Sequence, residues 1–63
     1  MIDTKLLRKL RKELGLTQDE LAQKVGVGQS YINKIERGFT DPSLPTLKRM
    51  GKVLGVDYKE LLK

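Results

Sequence analysis

Six residues, Leu16-Thr17-Gln18-Asp19-Glu20-Leu21, restrict what this chain can fold into more than any other stretch. Thr17 and Glu20 form a capping box: the hydroxyl takes an N–H of the first helical turn, and the Glu side chain reaches back to the N–H of Thr17. Leu16 and Leu21 flank the box as a hydrophobic staple that fixes the angle of entry. A helix, the second of the chain, therefore starts at Gln18, lays Leu21, Ala22 and Val25 along one face, and stops at Gly26. Almost at once another helical pattern begins, built on Ile32 and Ile35. Two short helices joined by so tight a glycine-containing turn cross at a large angle, and the second projects outward.

The flanking sequence is helical as well. Helix 1 is capped by Asp3 or Thr4, carries Leu6, Leu7, Leu10 and Leu14 as one apolar stripe, and ends at Gly15. Gly38 closes helix 3, and the loop Phe39-Thr40-Asp41-Pro42-Ser43 leads to helix 4, where Pro45 is tolerated because first-turn N–H groups lack partners. Leu47, Met50, Gly51 and Leu54 share one face of that helix. A mid-helix glycine costs about 1 kcal/mol against alanine unless another backbone approaches, so Gly51 is read as a close contact with another helix. Gly55 to Leu61 repeats the grammar of Gly15 to Leu21, a stop, a staple residue, a cap and a Glu, which predicts a fifth helix. The expected fold is an all-α, compact five-helix bundle, with residues 1–63 as one domain.

Length and composition then remove most function classes. A chain of 63 residues buries only a little over half of its unfolded surface, which leaves one small core and no deep substrate cleft. With no His and no Cys, the usual zinc ligands, disulfides and imidazole-activated nucleophiles are missing, so neither catalysis nor a cofactor is expected. Absent cysteines agree with a reducing compartment, and the expected location is the cytoplasm. No run approaches the about 18 apolar residues of a membrane span, and Met1 to Lys12 is too broken by charge for a signal peptide. What remains is electrostatic: 13 Lys and Arg against 8 Asp and Glu give a net charge of +5 and a pI near 9.8. An acidic polymer is a natural partner for such a surface, although any small surface needs charge for solubility.

Helix 3 shows where that partner would sit. With Ile32, Ile35 and Glu36 turned inward, the opposite arc holds Ser30, Asn33, Lys34 and Arg37, with Gln29 at its leading edge. No hydrophobe interrupts it. Amides and hydroxyls that both donate and accept, followed by cations, are what a major groove requires, since Gln can grip adenine and Lys can donate to guanine.

In these residues Gln18 to Arg37 resembles the helix-turn-helix of the lambda repressor and Cro group, the XRE-type family. Leu21, Val25, Val27, Ile32 and Ile35 occupy its apolar places, Ala22 its small one and Gly26 its glycine. The likeness continues through Glu36-Arg37-Gly38, Pro42-Ser43-Leu44, Thr46-Leu47 and Leu54-Gly55-Val56.

The resemblance implies a lambda-repressor-like bundle and a sequence-specific regulator of transcription, a repressor, that places helix 3 in the major groove of double-stranded DNA. It makes Gln29 and Ser30 base-reading residues, Lys34 a third base contact and Asn33 a further candidate. Gln18 becomes a phosphate contact that also braces Gln29, with Arg37, Thr40, Ser43 and Tyr31 as further phosphate contacts. The Tyr31 ring alternatively rests on the protein. Arg11 and Glu36 correspond to a partly buried ion pair that positions helix 3. A homodimer on two half-sites is expected, with Tyr58, Leu61 and Leu62 as contact candidates, although core closure is the preferred reading of Leu61. The sequence departs from the pattern at Gly28, where a Ser or Thr cap is common, and at Phe39 and Asp41, where basic residues are common. The cations Lys5, Arg8, Lys9, Arg11 and Lys12 read as a solvated face of helix 1 rather than a membrane anchor, since no aromatic joins them. The competing reading is a protein-interaction module of the same fold, an antitoxin, coactivator or adaptor, with the same arc turned toward protein.

Overall fold

Capping side chains set the first turn of nearly every helix. The computed structural model describes all 63 residues, and its elements are α1 (Thr4–Glu13), α2 (Gln18–Val25), α3 (Gln29–Glu36), α4 (Leu44–Leu54) and one turn of 3-10 helix, Tyr58–Leu61. Asp3, Thr17 and Ser43 each accept a first-turn N–H, and the Thr17–Glu20 box is complete in both directions. α3 alone begins without a side-chain cap, because Gly28 has none to offer. Between α2 and α3, Gly26 stands at φ 86°, a left-handed conformation that side chains rarely adopt. From there the N–H groups of Gly26 and Val27 both donate to the Ala22 carbonyl, at 2.8 and 2.9 Å. That closed turn swings α3 out of line with α2.

The fifth helix is the correction the structure makes. Asp57 and Glu60 form the capping box read from the sequence, yet the helix ends after four residues of 3-10 turn. Leu62 is extended instead, at φ −98° and ψ 140°, because it pairs in an antiparallel bridge with Ile2. Two further backbone bonds fasten the ends, Asp3 N–H to the Leu61 carbonyl at 2.7 Å and Lys63 N–H to the Met1 carbonyl at 3.0 Å. Continuing the helix would pull Leu62 off that bridge, and no sequence signal announces a partner sixty positions away. The fold is thus four α-helices and a final turn, with no strand.

Eleven buried hydrophobic side chains form one core: Ile2 and Leu7, then Leu21, Ala22 and Val25 of α2, Ile32 and Ile35 of α3, Leu47, Met50 and Leu54 of α4, and Leu61. Each fully buried Leu or Ile contributes about 1.5–3 kcal/mol from the area removed from water. Leu61 closes the core as expected. Leu14 does not join it: α1 stops at Glu13, and Leu14 caps it with 52% of its surface exposed. The close approach at Gly51 is present, but the neighbour is the connection to the last turn rather than another α-helix. A Cβ there would meet the Val56 carbonyl oxygen at 2.9 Å and the Tyr58 Cα at 3.0 Å. No helix is long and apolar enough to cross a membrane.

Candidate nucleic-acid interface

α3 turns Ile32, Ile35 and Glu36 into the protein and leaves Gln29, Ser30, Lys34 and Arg37 exposed, with Tyr31 and Asn33 half-buried. The polar arc drawn from the sequence is therefore one continuous surface. Tyr31 is half-buried and packs against the core cluster. Arg37 follows as the C-cap, its N–H donating to the Asn33 carbonyl at 3.0 Å.

Behind this surface lies a buried polar network centred on Glu36. Arg11 donates to both carboxylate oxygens, from Nε to Oε2 at 2.7 Å and from Nη2 to Oε1 at 3.1 Å. The same guanidinium donates through Nη1 to the Leu16 carbonyl at 2.8 Å, so a single cation joins α1, the entry to α2, and α3. Burial is deep, with 10% and 2% of the two side chains exposed. Such a pair resists removal of either member, because the survivor would be a buried charge without a counter-ion. Gln18 Nε2 donates to Glu36 Oε1 at 3.1 Å, and Gln18 Oε1 accepts from Asn33 Nδ2 at 3.3 Å. The amide expected to brace Gln29 thus braces Asn33. No buried side-chain nitrogen or oxygen lacks a partner.

The loop after α3 is organised around Arg37 and Phe39. The guanidinium sits 4.5 Å from the centroid of the Phe39 ring, a cation–π contact, and the ring itself is 67% exposed. Phe39 therefore carries Arg37 rather than packing on the core. Asp41 accepts the Ile2 N–H at 3.2 Å, which explains an acidic residue where the family often has a basic one. Thr40 is half-buried beside them, while Ser43 caps α4 and donates its hydroxyl to Thr46 Oγ1 at 2.9 Å. Arg37, Thr40 and Ser43 lie along one loop, with Gln18 at the start of α2 and Tyr31 on the first turn of α3.

Two arginines reach backbone partners beyond those expected of them. Arg8 Nη1 donates to the Glu36 backbone carbonyl at 2.7 Å, and Arg49 Nε donates to the Val25 carbonyl at 2.9 Å, each cation on the C-terminal end of a recognition-motif helix. The spacing of Arg8 and Arg11 carried a signal, since residues three apart share a helix face. Nothing local marks the long-range partner of Arg49. Of the helix 1 cations, Lys5, Lys9 and Lys12 are exposed, so the solvated face is real but leaves out Arg8 and Arg11, which bond to Glu36. At the far side of the motif, the Thr17 backbone N–H and then its hydroxyl hold the Glu20 carboxyl below its ordinary value of 4.5.

Comparison with known proteins matches residues 7–61 to the helix-turn-helix family. An uncharacterized HTH-type transcriptional regulator of Methanothermobacter thermautotrophicus is 47% identical over 55 residues, which cover 87% of this chain and 80% of that protein. SinR of Bacillus subtilis is 42% identical over 57 residues, covering 89% of this chain but 51% of SinR, so the chain spans about half of that relative. Its structure in complex with DNA superposes with a TM-score of 0.86 at 39% identity, over 95% of this chain and 97% of that one. The P22 c2 repressor in complex with a synthetic operator superposes with a TM-score of 0.93 at 32% identity, over 100% of this chain and 96% of the repressor. With the closed turn at Gly26, the outward arc of α3 and the match over residues 7–61 all in agreement, the chain belongs to the XRE-type helix-turn-helix family.

Proposed function

We propose that the chain is a sequence-specific, double-stranded DNA-binding transcriptional regulator that acts as a repressor by occupying its operator. One observation carries this reading: α3 offers an uninterrupted polar and cationic arc to solvent while its opposite face is locked to the core by Ile32, Ile35 and the Arg11–Glu36 pair. A rigid helix with such a face fits the major groove. Gln29, Ser30 and Lys34, with Asn33, take the base edges. Gln18, Arg37, Thr40, Ser43 and Tyr31 take phosphates, and the Arg11–Glu36 pair keeps α3 at its angle. One module makes few base contacts, so two copies bind half-sites about one helical turn apart as a homodimer. No cofactor enters, no chemistry is performed on a substrate, and the place of action is the cytoplasm.

Gln29→Ala and Lys34→Ala should each cost about 1–3 kcal/mol at the preferred site and little on random sequence, whereas Gln18→Ala should weaken binding to both, because it removes a phosphate contact. Titrating each variant against the two kinds of duplex separates the roles. Equal losses for Gln29→Ala on both would remove it from base reading. A purified chain that ignores duplexes at low ionic strength would favour the protein-interaction module instead.

A further inference from the structure

We propose that the Glu36–Gln18–Asn33 network fixes which end of the Asn33 amide faces DNA, and thereby makes Asn33 a specificity residue that rejects guanine and thymine. This rests on the DNA-binding reading above and deepens it. The argument starts inside the protein. Glu36 is an ionised carboxylate held by Arg11, so it can only accept hydrogen bonds. The Gln18 amide must therefore turn its nitrogen inward, as the 3.1 Å bond from Nε2 to Glu36 Oε1 records. Its oxygen is then left pointing the other way. That oxygen can only accept, so the Asn33 amide turns its nitrogen toward it, at 3.3 Å.

The polarity of a buried ion pair is handed through two amides to the surface of α3. Asn33 Oδ1 takes no hydrogen bond within the chain and lies at the end of its amide away from Gln18. Asn33, half-buried between the two exposed positions Ser30 and Lys34, thus presents an acceptor to the groove, with one N–H remaining beside it. An acceptor meets a donor at adenine N6 or cytosine N4, and adenine N7 can also take the remaining N–H. At guanine Oδ1 would face O6 where adenine offers its N6 amine, and at thymine O4, both acceptors that it cannot pair with. An unbraced asparagine would rotate its amide to suit either class. Here rotation would set Asn33 Oδ1 against Gln18 Oε1.

The test is selection of bound duplexes from a random pool, with the full chain and with Asn33→Ala and Gln18→Met. For the parent chain, one position of each half-site should favour adenine or cytosine by about tenfold over guanine or thymine, within what one good side-chain–base pair discriminates. Asn33→Ala should flatten that position and no other. Gln18→Met keeps Asn33 but removes the oxygen that orients it, so guanine and thymine should rise at the same position. Preference at one position is a ratio within one variant, so a general loss of phosphate affinity or stability in Gln18→Met cannot mimic the change. A motif whose Asn33-dependent position prefers guanine, or is untouched by Gln18→Met, overturns the polarity relay while the DNA-binding reading stands. Absence of any duplex binding overturns both.

Discussion

Glu36 has a heavier structural duty than its place on an exposed recognition helix suggests. It accepts from Arg11 twice and from Gln18 once, and its backbone carbonyl accepts from Arg8. Removing one member of so buried a pair strands the other, so Glu36→Ala should cost about 3–5 kcal/mol in urea unfolding. A loss under about 1 kcal/mol would mean that water screens the pair as it screens surface pairs. Gly51 is the second telling residue. Alanine gains about 1 kcal/mol of helix propensity there, yet its Cβ would stand 2.9 Å from the Val56 carbonyl oxygen, which is backbone and cannot swing aside. Overpacking of this kind costs about 1–3 kcal/mol. Gly51→Ala should therefore lower the melting temperature, and a rise would show that the connection after α4 moves freely. Both residues could be singled out in the sequence, Glu36 through its likeness to a family ion pair and Gly51 through its helical context. Their partners could be named only in part, since the contact of Gln18 with Glu36 depends on how α2 and α3 cross, and that of Gly51 with Val56 on how the chain folds back after α4.

At the scale of elements, the capping rules carried most of the reading. The box at Thr17 and Glu20 and the stop at Gly26 placed α2 to the residue, and α3 follows from the apolar pair Ile32 and Ile35. The same rules overreached at Asp57, where a complete box launches a single turn because Leu62 is committed to Ile2. A cap starts a helix, but tertiary pairing decides how far it runs. Glu20 also gives α2 a pH dependence of known sign. Its carboxyl titrates lower in the folded chain than in the unfolded one, so the contribution is fully present above 4.5 and fades as pH falls through the lowered value. Melting temperatures of Glu20→Gln should lie below those of the parent at about pH 7 and converge with them as pH falls below 4.5 and through the lowered value. Parallel curves would deny the linkage.

For the molecule as a whole, the net charge of +5 predicts how binding responds to ions. Neutralising phosphates releases condensed counter-ions, so affinity falls as a power of salt concentration. Lys34 and Arg37 alone, displacing about two counter-ions, predict about a tenfold loss between about 50 and 200 mM salt on mixed-sequence duplex. A flat response would assign the charge to solubility.

The bridge between Ile2 and Leu62 has a practical corollary for anyone who labels or fuses this protein. Met1 and Lys63 emerge together, and both line the shallow groove bordered by Gly38, Phe39, Thr40 and Asp41. A tag on either terminus leaves from the same corner, next to the segment proposed to grip the sugar–phosphate rail. A bulky group attached at Met1 or Lys63 is therefore expected to slow docking onto DNA.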